Sequence, residues 1–389
     1  MGEENIYSIH LGKNAALYFT DFSTGPVQVD FIGKQARPNS SFYRFTLRSA
    51  DRERRILVKT PPARKEMHQP AVPAQAANDD RPRLTSKADL ATKSHLEYKM
   101  LSTLQAYFSN LNDPRYGTLH VLDFLPEQRA IIMEEEQSPS LRQVFAKTNR
   151  LKYPFRSTDL SKIFFNAGAW LQAYHALPKL EHTQVRHEGG ADFIESISSF
   201  TRFLSVNLQQ SRYFQSVETI TNASAARLLP EQLPLGLGHG DYAMRNILVG
   251  PQSRVIVFDT LGRWQVPIYE DIAYFLFRLK SAGIQAVSQG LAFSRRQLKK
   301  YEQEFLCGYF GTETIPYTLI RLFEIQALLD YWSSQALLGL DVTDKHKQSF
   351  VKKVNFMLLS HFLRGMLNQL LREVDHKTPV TSADFRKTA

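Results

Sequence analysis

This sequence has a single cysteine, Cys307. No intramolecular disulfide can form, which fits a reducing compartment and points to a cytoplasmic protein. Cys307 lies in the apolar run Phe305-Leu306-Cys307-Gly308-Tyr309 and reads as a buried structural thiol. CxxC spacing is excluded and HExxH does not occur, so the usual zinc patterns are missing. No apolar run approaches the ~18–20 residues that span a bilayer. The first residues, MGEENIYSIHLGKN, are polar and lack the basic start and apolar core of a signal peptide. Glycine-based phosphate signatures are also missing. Gly236, Gly238 and Gly240 fall one position short of GxGxxG, because Asp241 stands where the last glycine would be. The Gly-Lys pairs at 12–13 and 33–34 have no Ser or Thr after them, which excludes a P-loop.

The 389 residues are 43% hydrophobic and 22% charged, an ordinary globular composition with enough chain for two lobes. The net charge of +10 suits anionic partners such as nucleotides, anionic lipids or acidic glycans. It does not choose among them, and a nucleotide-binding enzyme explains part of the excess. No nucleic-acid partner is expected.

The most informative stretch is HGDYAMRN at 239–246, followed by VIVFD ending at Asp259. Ile247-Leu248-Val249 and Val255-Ile256-Val257-Phe258 read as short buried strands, with turn residues Gly250-Pro251-Gln252-Ser253 between them. A His, an acid and an amide therefore sit on one loop, and a second acid follows at a strand end. Phosphoryl transfer depends on positioning and charge neutralisation. Magnesium takes hard oxygen ligands, commonly one or two carboxylates with phosphate oxygens and water. Asp259 and the amide oxygen of Asn246 can supply such ligands. Asp241 can accept or orient a substrate hydroxyl proton. His239 suits bracing the loop better than chemistry.

HGDxxxxN with an Asp after a hydrophobic strand resembles the aminoglycoside phosphotransferase and choline kinase-like family, small-molecule relatives of the protein kinases. The resemblance covers roughly residues 25–350. It implies an α+β, bilobal protein kinase-like fold, with a small antiparallel β-rich lobe at 1–136 and a larger, mainly helical lobe at 137–389. Asp241 becomes the catalytic base, and Asn246 and Asp259 the magnesium ligands. Asp271, in VPIYEDIAYF, matches the Asp that holds the catalytic loop in shape. The implied cofactors are ATP, with GTP as the alternative donor, and Mg2+. Asp271 follows Asp259 by only 12 positions, too few for a protein-kinase activation segment. The acceptor is then expected to be a small molecule or glycan: an aminoglycoside, sugar, amino alcohol or saccharide intermediate. The basic surface leans towards an anionic or membrane-bound acceptor.

Three strands are predicted in the small lobe, at 27–32, 42–47 and 56–59. The connection Gly33 to Ser41 would be the loop over the phosphates, with an anion-binding nest at Asn39, Ser40 and Ser41. In the resemblance Lys59 meets the nucleotide phosphates and is braced by Glu97. Leu96, Met100, Leu101, Leu104 and Phe108 make a helical stripe beside Glu97. Residues 61–94, rich in Pro and Ala, read as a flexible insertion. Strands are expected at 118–124 and 130–133, with Glu134 to Glu136 at the adenine-binding hinge. Ser138-Pro139 predicts a helix start, with Ser as N-cap. From about 158 the pattern is helical. Ile163, Ala167, Trp170, Leu171, Tyr174 and Leu177 share a face, and His175 at its end reads as a packed structural histidine. Residues 350–372 form a basic amphipathic helix. Packing on the large lobe is favoured over peripheral contact with an anionic membrane.

Two features depart from the family. The phosphate loop has little glycine, and Thr260-Leu261-Gly262 replace the usual residues after the metal-binding Asp. They support the alternative of a catalytically inactive kinase-like scaffold or regulator.

Overall fold

The computed structural model describes residues 2–23, 25–37, 40–49, 52–61, 90–153, 158–186, 189–339 and 350–375. They form two compact units: residues 1–138 with 256–262, and residues 139–255 with 263–389. Asp259 therefore groups with the first unit, although a boundary at 136 assigns it to the second.

The first unit opens with helix α1 (Glu3–Tyr18). Strands β1 (Gln28–Arg37), β2 (Ser40–Ser49) and β3 (Arg52–Thr60) follow. Helix α2 (Leu90–Leu111) then leads to β4 (Tyr116–Thr118), β5 (Val121–Leu125) and β6 (Ala130–Glu134). Five strands make one antiparallel sheet in the order β1-β2-β3-β6-β5. Strand side chains alternate between faces. Ile56, Val58, Ala130 and Ile132 pack with Tyr7, Leu11 and Ala15 of α1. Their neighbours Leu57, Ile131 and Met133 turn to the other face and meet Tyr98 and Leu101 of α2. Lys59 has the parity of Leu57, so it faces α2.

The structure departs from four of the expectations for this unit. Residues 3–18 are helical, an element absent from the expected strands at 27–32, 42–47 and 56–59; the buried stripe Tyr7, Leu11 and Ala15 is one residue wide per turn and is easily missed. Gly33–Ser41 is not an open loop: β1 and β2 stay paired to Arg37↔Ser40, so only residues 38 and 39 separate the strands. Asn39 lies outside the described residues. The span 118–124 is broken into β4 and β5. Of the 61–94 insertion, residues 90–94 already belong to α2, and 62–89 lie outside the described residues.

The second unit is mainly helical. Its elements are α3 (Leu141–Ala146), α4 (Ser161–His175), β7 (Gln184–Val185), α5 (Gly190–Asn207), α6 (Ser211–Leu228), β8 (Leu235–Leu237) and β9 (Ile247–Val249). Strand β10 (Val255–Val257) carries the chain back to the first unit. After it come β11 (Trp264–Pro267), α7 (Tyr269–Lys280), α8 (Gly283–Val287), α9 (Arg295–Phe310), α10 (Tyr317–Gly339) and α11 (Phe350–Asp375). Helix α3 starts two residues later than the Ser-Pro signal suggests. Ser140 is the N-cap, and its hydroxyl and the Gln143 side chain form a reciprocal capping box.

Helices α4 and α9 cross with their backbones almost touching. A Cβ on Gly168 would lie 1.9 Å from the Phe305 carbonyl, and one on Gly308 would lie 1.9 Å from the Phe165 carbonyl. Only glycine fits at either position. Helix α11 buries Leu363, Leu367, Leu370 and Val374 in this unit. Arg227 donates to the Val374 carbonyl at 3.0 Å and Tyr213 to Asn368 at 2.9 Å. The C-terminal half of α11 is thus a packed closing helix. No helix among the described residues is long and apolar enough to cross a membrane.

Candidate functional site

In the first unit, three predicted residues come together. Lys59 Nζ donates to Glu97 and, at 3.1 Å, to Asp259 Oδ1. Strand parity aims Lys59 at α2, and Glu97 waits there, 3% exposed. Burial pulls the Lys59 ammonium down, but the Asp259 and Glu97 carboxylates outweigh it and leave its pKa above that of an ordinary lysine. Burial raises the Glu97 pKa, which Lys59 offsets only in part. One cation therefore serves two carboxylates. Asp259 keeps a 40% exposed side chain. Its φ of 68° is in the left-handed region, which Asp adopts more readily than most residues.

The other nucleotide-side residues differ in character. Ser40 and Ser41 begin β2 and are buried, and Ser41 Oγ has no hydrogen-bond partner among the described residues. Glu134 ends β6, with its carboxylate 3.1 Å from His120 Nδ1. Glu136 accepts from its own turn, from Ser138 N–H at 2.9 Å. The backbone N–H groups of Glu134 and Glu135 are spent on the His120 and Arg55 carbonyls.

In the second unit, the loop 239–246 is built from the backbone outward. Strand β11 pairs with β8, and Gly238 N–H donates to the Trp264 carbonyl at 2.8 Å, which fixes the loop's entry. Helix α7 begins two residues after β11 and presents Asp271 in its first turn. Asp271 is 1% exposed and accepts the N–H groups of His239 at 2.6 Å and Gly240 at 2.9 Å. His175 Nε2 lies 3.2 Å from the same carboxylate, and its Nδ1 is 2.7 Å from the Tyr309 hydroxyl. Burial pushes the Asp271 carboxyl up. His175 and His239 outweigh this and hold its pKa below the ordinary carboxylate value. His175 is thus a packed, hydrogen-bonded histidine. Trp170 of α4 stacks on Tyr242 at 5.8 Å, and the Tyr242 hydroxyl donates to the Ala167 carbonyl at 2.7 Å.

With its backbone so held, the loop presents Asp241 and Asn246. Asn246 Nδ2 donates to Asp241 twice at 2.9 Å, once to its carbonyl and once to Oδ2. The amide nitrogen is spent, which leaves the oxygen as the ligating atom. That suits a hard cation, as does the half-exposed carboxylate of Asp259 in the first unit. Among the described residues no three His, Cys, Asp or Glu side chains gather as a metal cluster. Magnesium, which keeps several waters, does not require one.

Two contacts to Asp241 were not read from the sequence. Arg245 forms an ion pair with Oδ1, and the Tyr274 hydroxyl donates to the same oxygen at 3.0 Å. The available signals were spacing alone. Arg245 is four residues after Asp241, and Tyr274 is three after Asp271 on one helix face. Neither spacing means anything until α7 is placed against the loop.

No protein-family model matches the sequence, and no curated protein matches it either. Solved structures do. One, assigned as an aminoglycoside phosphotransferase from Ralstonia eutropha, is 13% identical with a TM-score of 0.53, covering 95% of this chain and 98% of that one. A spectinomycin phosphotransferase in complex with ADP and spectinomycin is 12% identical (TM-score 0.49; 93% and 98% covered). An ethanolamine kinase from Plasmodium vivax is also 12% identical (TM-score 0.48; 95% and 91% covered). With its five-stranded antiparallel sheet and its mainly helical second unit, this chain has the α+β, bilobal protein kinase-like fold of the first of these structures.

Proposed function

We propose that this protein is an ATP-dependent phosphotransferase that moves the γ-phosphoryl group to a hydroxyl of a small molecule or saccharide. The observation that carries the reading is the loop 239–246. Its backbone is fixed by Asp271, and the side chains left over are an acid and an amide oxygen. A scaffold has no need to hold Asp241 on a loop braced in this way.

Asp241 takes the proton of the acceptor hydroxyl as the oxygen–phosphorus bond forms. The bond from the γ-phosphorus to the bridging oxygen breaks, and its electron pair leaves with the nucleoside diphosphate. Lys59, kept charged by Glu97, orients the phosphates. Glu134 and Glu136 contribute hinge backbone groups to adenine, and the Ser40–Ser41 backbone covers the phosphates. Asp259 and Asn246 would hold magnesium, which when bound neutralises charge on the phosphate oxygens.

Nucleotide binding tests the reading. Thermal shift with ATP and GTP, with and without magnesium, is expected to give a magnesium-dependent stabilisation, about 2.7 kcal/mol at 100 times Kd. Asp259→Ala should lose it. No shift with any nucleotide would leave the scaffold reading.

A further inference from the structure

The surroundings of Asp241 bear on what the acceptor is. Its Oδ1 receives both the Arg245 guanidinium and the Tyr274 hydroxyl. The Arg245 side chain is nevertheless 39% exposed, so it is available to solvent and to a ligand. Arg278 stands one turn beyond Tyr274 on α7, on the same helix face. Its guanidinium lies over the Tyr331 ring, 4.8 Å from the centroid. Stacking on an aromatic face leaves the N–H edge of the plane free for a carboxylate or phosphate. The Tyr274 hydroxyl senses both arginines. Burial and Asp241 raise its pKa, and Arg278 and Arg245 pull the other way.

The local balance is two guanidiniums against one carboxylate. Among the described residues no second carboxylate contacts Asp241, Arg245 or Tyr274. An ammonium-bearing acceptor would need such an acid, because Asp241 is committed to the proton. An anion would instead find two planar donors matched to its oxygens.

Resting on the phosphotransferase reading, we infer that the acceptor is an anionic hydroxyl compound, a polyol bearing a carboxylate or phosphate, whose charged group is taken by Arg245 and Arg278. The anion draws Arg245 off Asp241 and so exposes the base when the acceptor arrives.

The test is transfer of label from γ-labelled ATP with magnesium to a panel of sugars. Each sugar is supplied neutral, carboxylated, phosphorylated and aminated. The anionic members should exceed the neutral ones at least tenfold in kcat/KM, with the amines lowest. The carboxylated and phosphorylated arms show which anion is taken. Arg278→Met should cut that preference about tenfold through the KM of the anionic acceptor, and Arg278→Lys should restore part of it. Equal or better transfer to neutral or amine members, or label in no anionic member, overturns the inference. If magnesium–ATP still binds in those cases, the phosphotransferase reading stands. If no nucleotide binds, both fall.

Discussion

Two groups of acids in this molecule are held in opposite ways. Asp271 and Glu302 are buried and held by the protein: Asp271 by two backbone N–H groups and His175, Glu302 by ion pairs with Lys280 at 3.0 Å and with Arg321. Asp241 and Asp259 keep part of their surface, and their cationic partners, Arg245 and Lys59, sit on long side chains. The first pair is closed off, with side chains 2% and 9% exposed, whereas those of Asp241 and Asp259 are 18% and 40% exposed. The first pair therefore organises structure, and the second pair is available to a ligand.

Asp241→Asn should break this comparison most visibly if it is wrong. Turnover is expected to fall ~10²–10⁴-fold, with unfolding stability lowered by only about 1 kcal/mol as Arg245, Asn246 and Tyr274 lose a charged acceptor. Steady-state transfer and urea unfolding on one preparation decide the matter. A variant that unfolds readily would place Asp241 with the structural acids.

Asp271→Asn should do the reverse. Losing charge-assisted bonds to two N–H groups is expected to cost ~2–3 kcal/mol of stability, read from the urea midpoint. A fully stable variant would show that the loop does not depend on Asp271. The sign of the pH effect follows from the depressed pKa. The stabilisation is present above the ordinary carboxylate range and is lost as pH falls below it.

The smallest effect sharpens the comparison. Burial raises the Glu302 carboxyl, but Arg321 and Lys280 bring its pKa down to about 2. Its contribution is present above the unfolded value and lost as pH falls towards about 2. Glu302→Gln should flatten the acid limb of stability over that range, as followed by unfolding at stepped pH. An unchanged acid limb would mean that the pair contributes nothing.

Much of the candidate site was legible because its residues are close in sequence. The loop 239–246, the strand end at Asp259 and the bracing Asp271 span 33 residues and are separated by short turns. The α2 stripe and the α4 face were legible from periodicity, and Met100, Leu101, Leu104, Trp170 and Tyr174 are all buried. Helix α1 was not, because its apolar stripe is too narrow to stand out. The connection expected from Gly33 to Ser41 was read too long, because strand pairing runs on to Arg37↔Ser40 and spacing alone does not show where pairing stops.

The sequence by itself determined what depends on local spacing: strand and helix periods, the face on which Lys59 emerges, and the order of acid, amide and acid along the loop and the strand that follows. Only the tertiary structure decided what those groups meet. Glu97 reaches Lys59 across 38 residues, and Tyr274 reaches Asp241 across 33. The physical reason is range. Periodicity fixes a side chain's direction within its own element, but a hydrogen bond of about 3 Å requires two elements to be placed against each other. That placement is set by long-range packing, here by Gly168 against α9 and by β8 against β11.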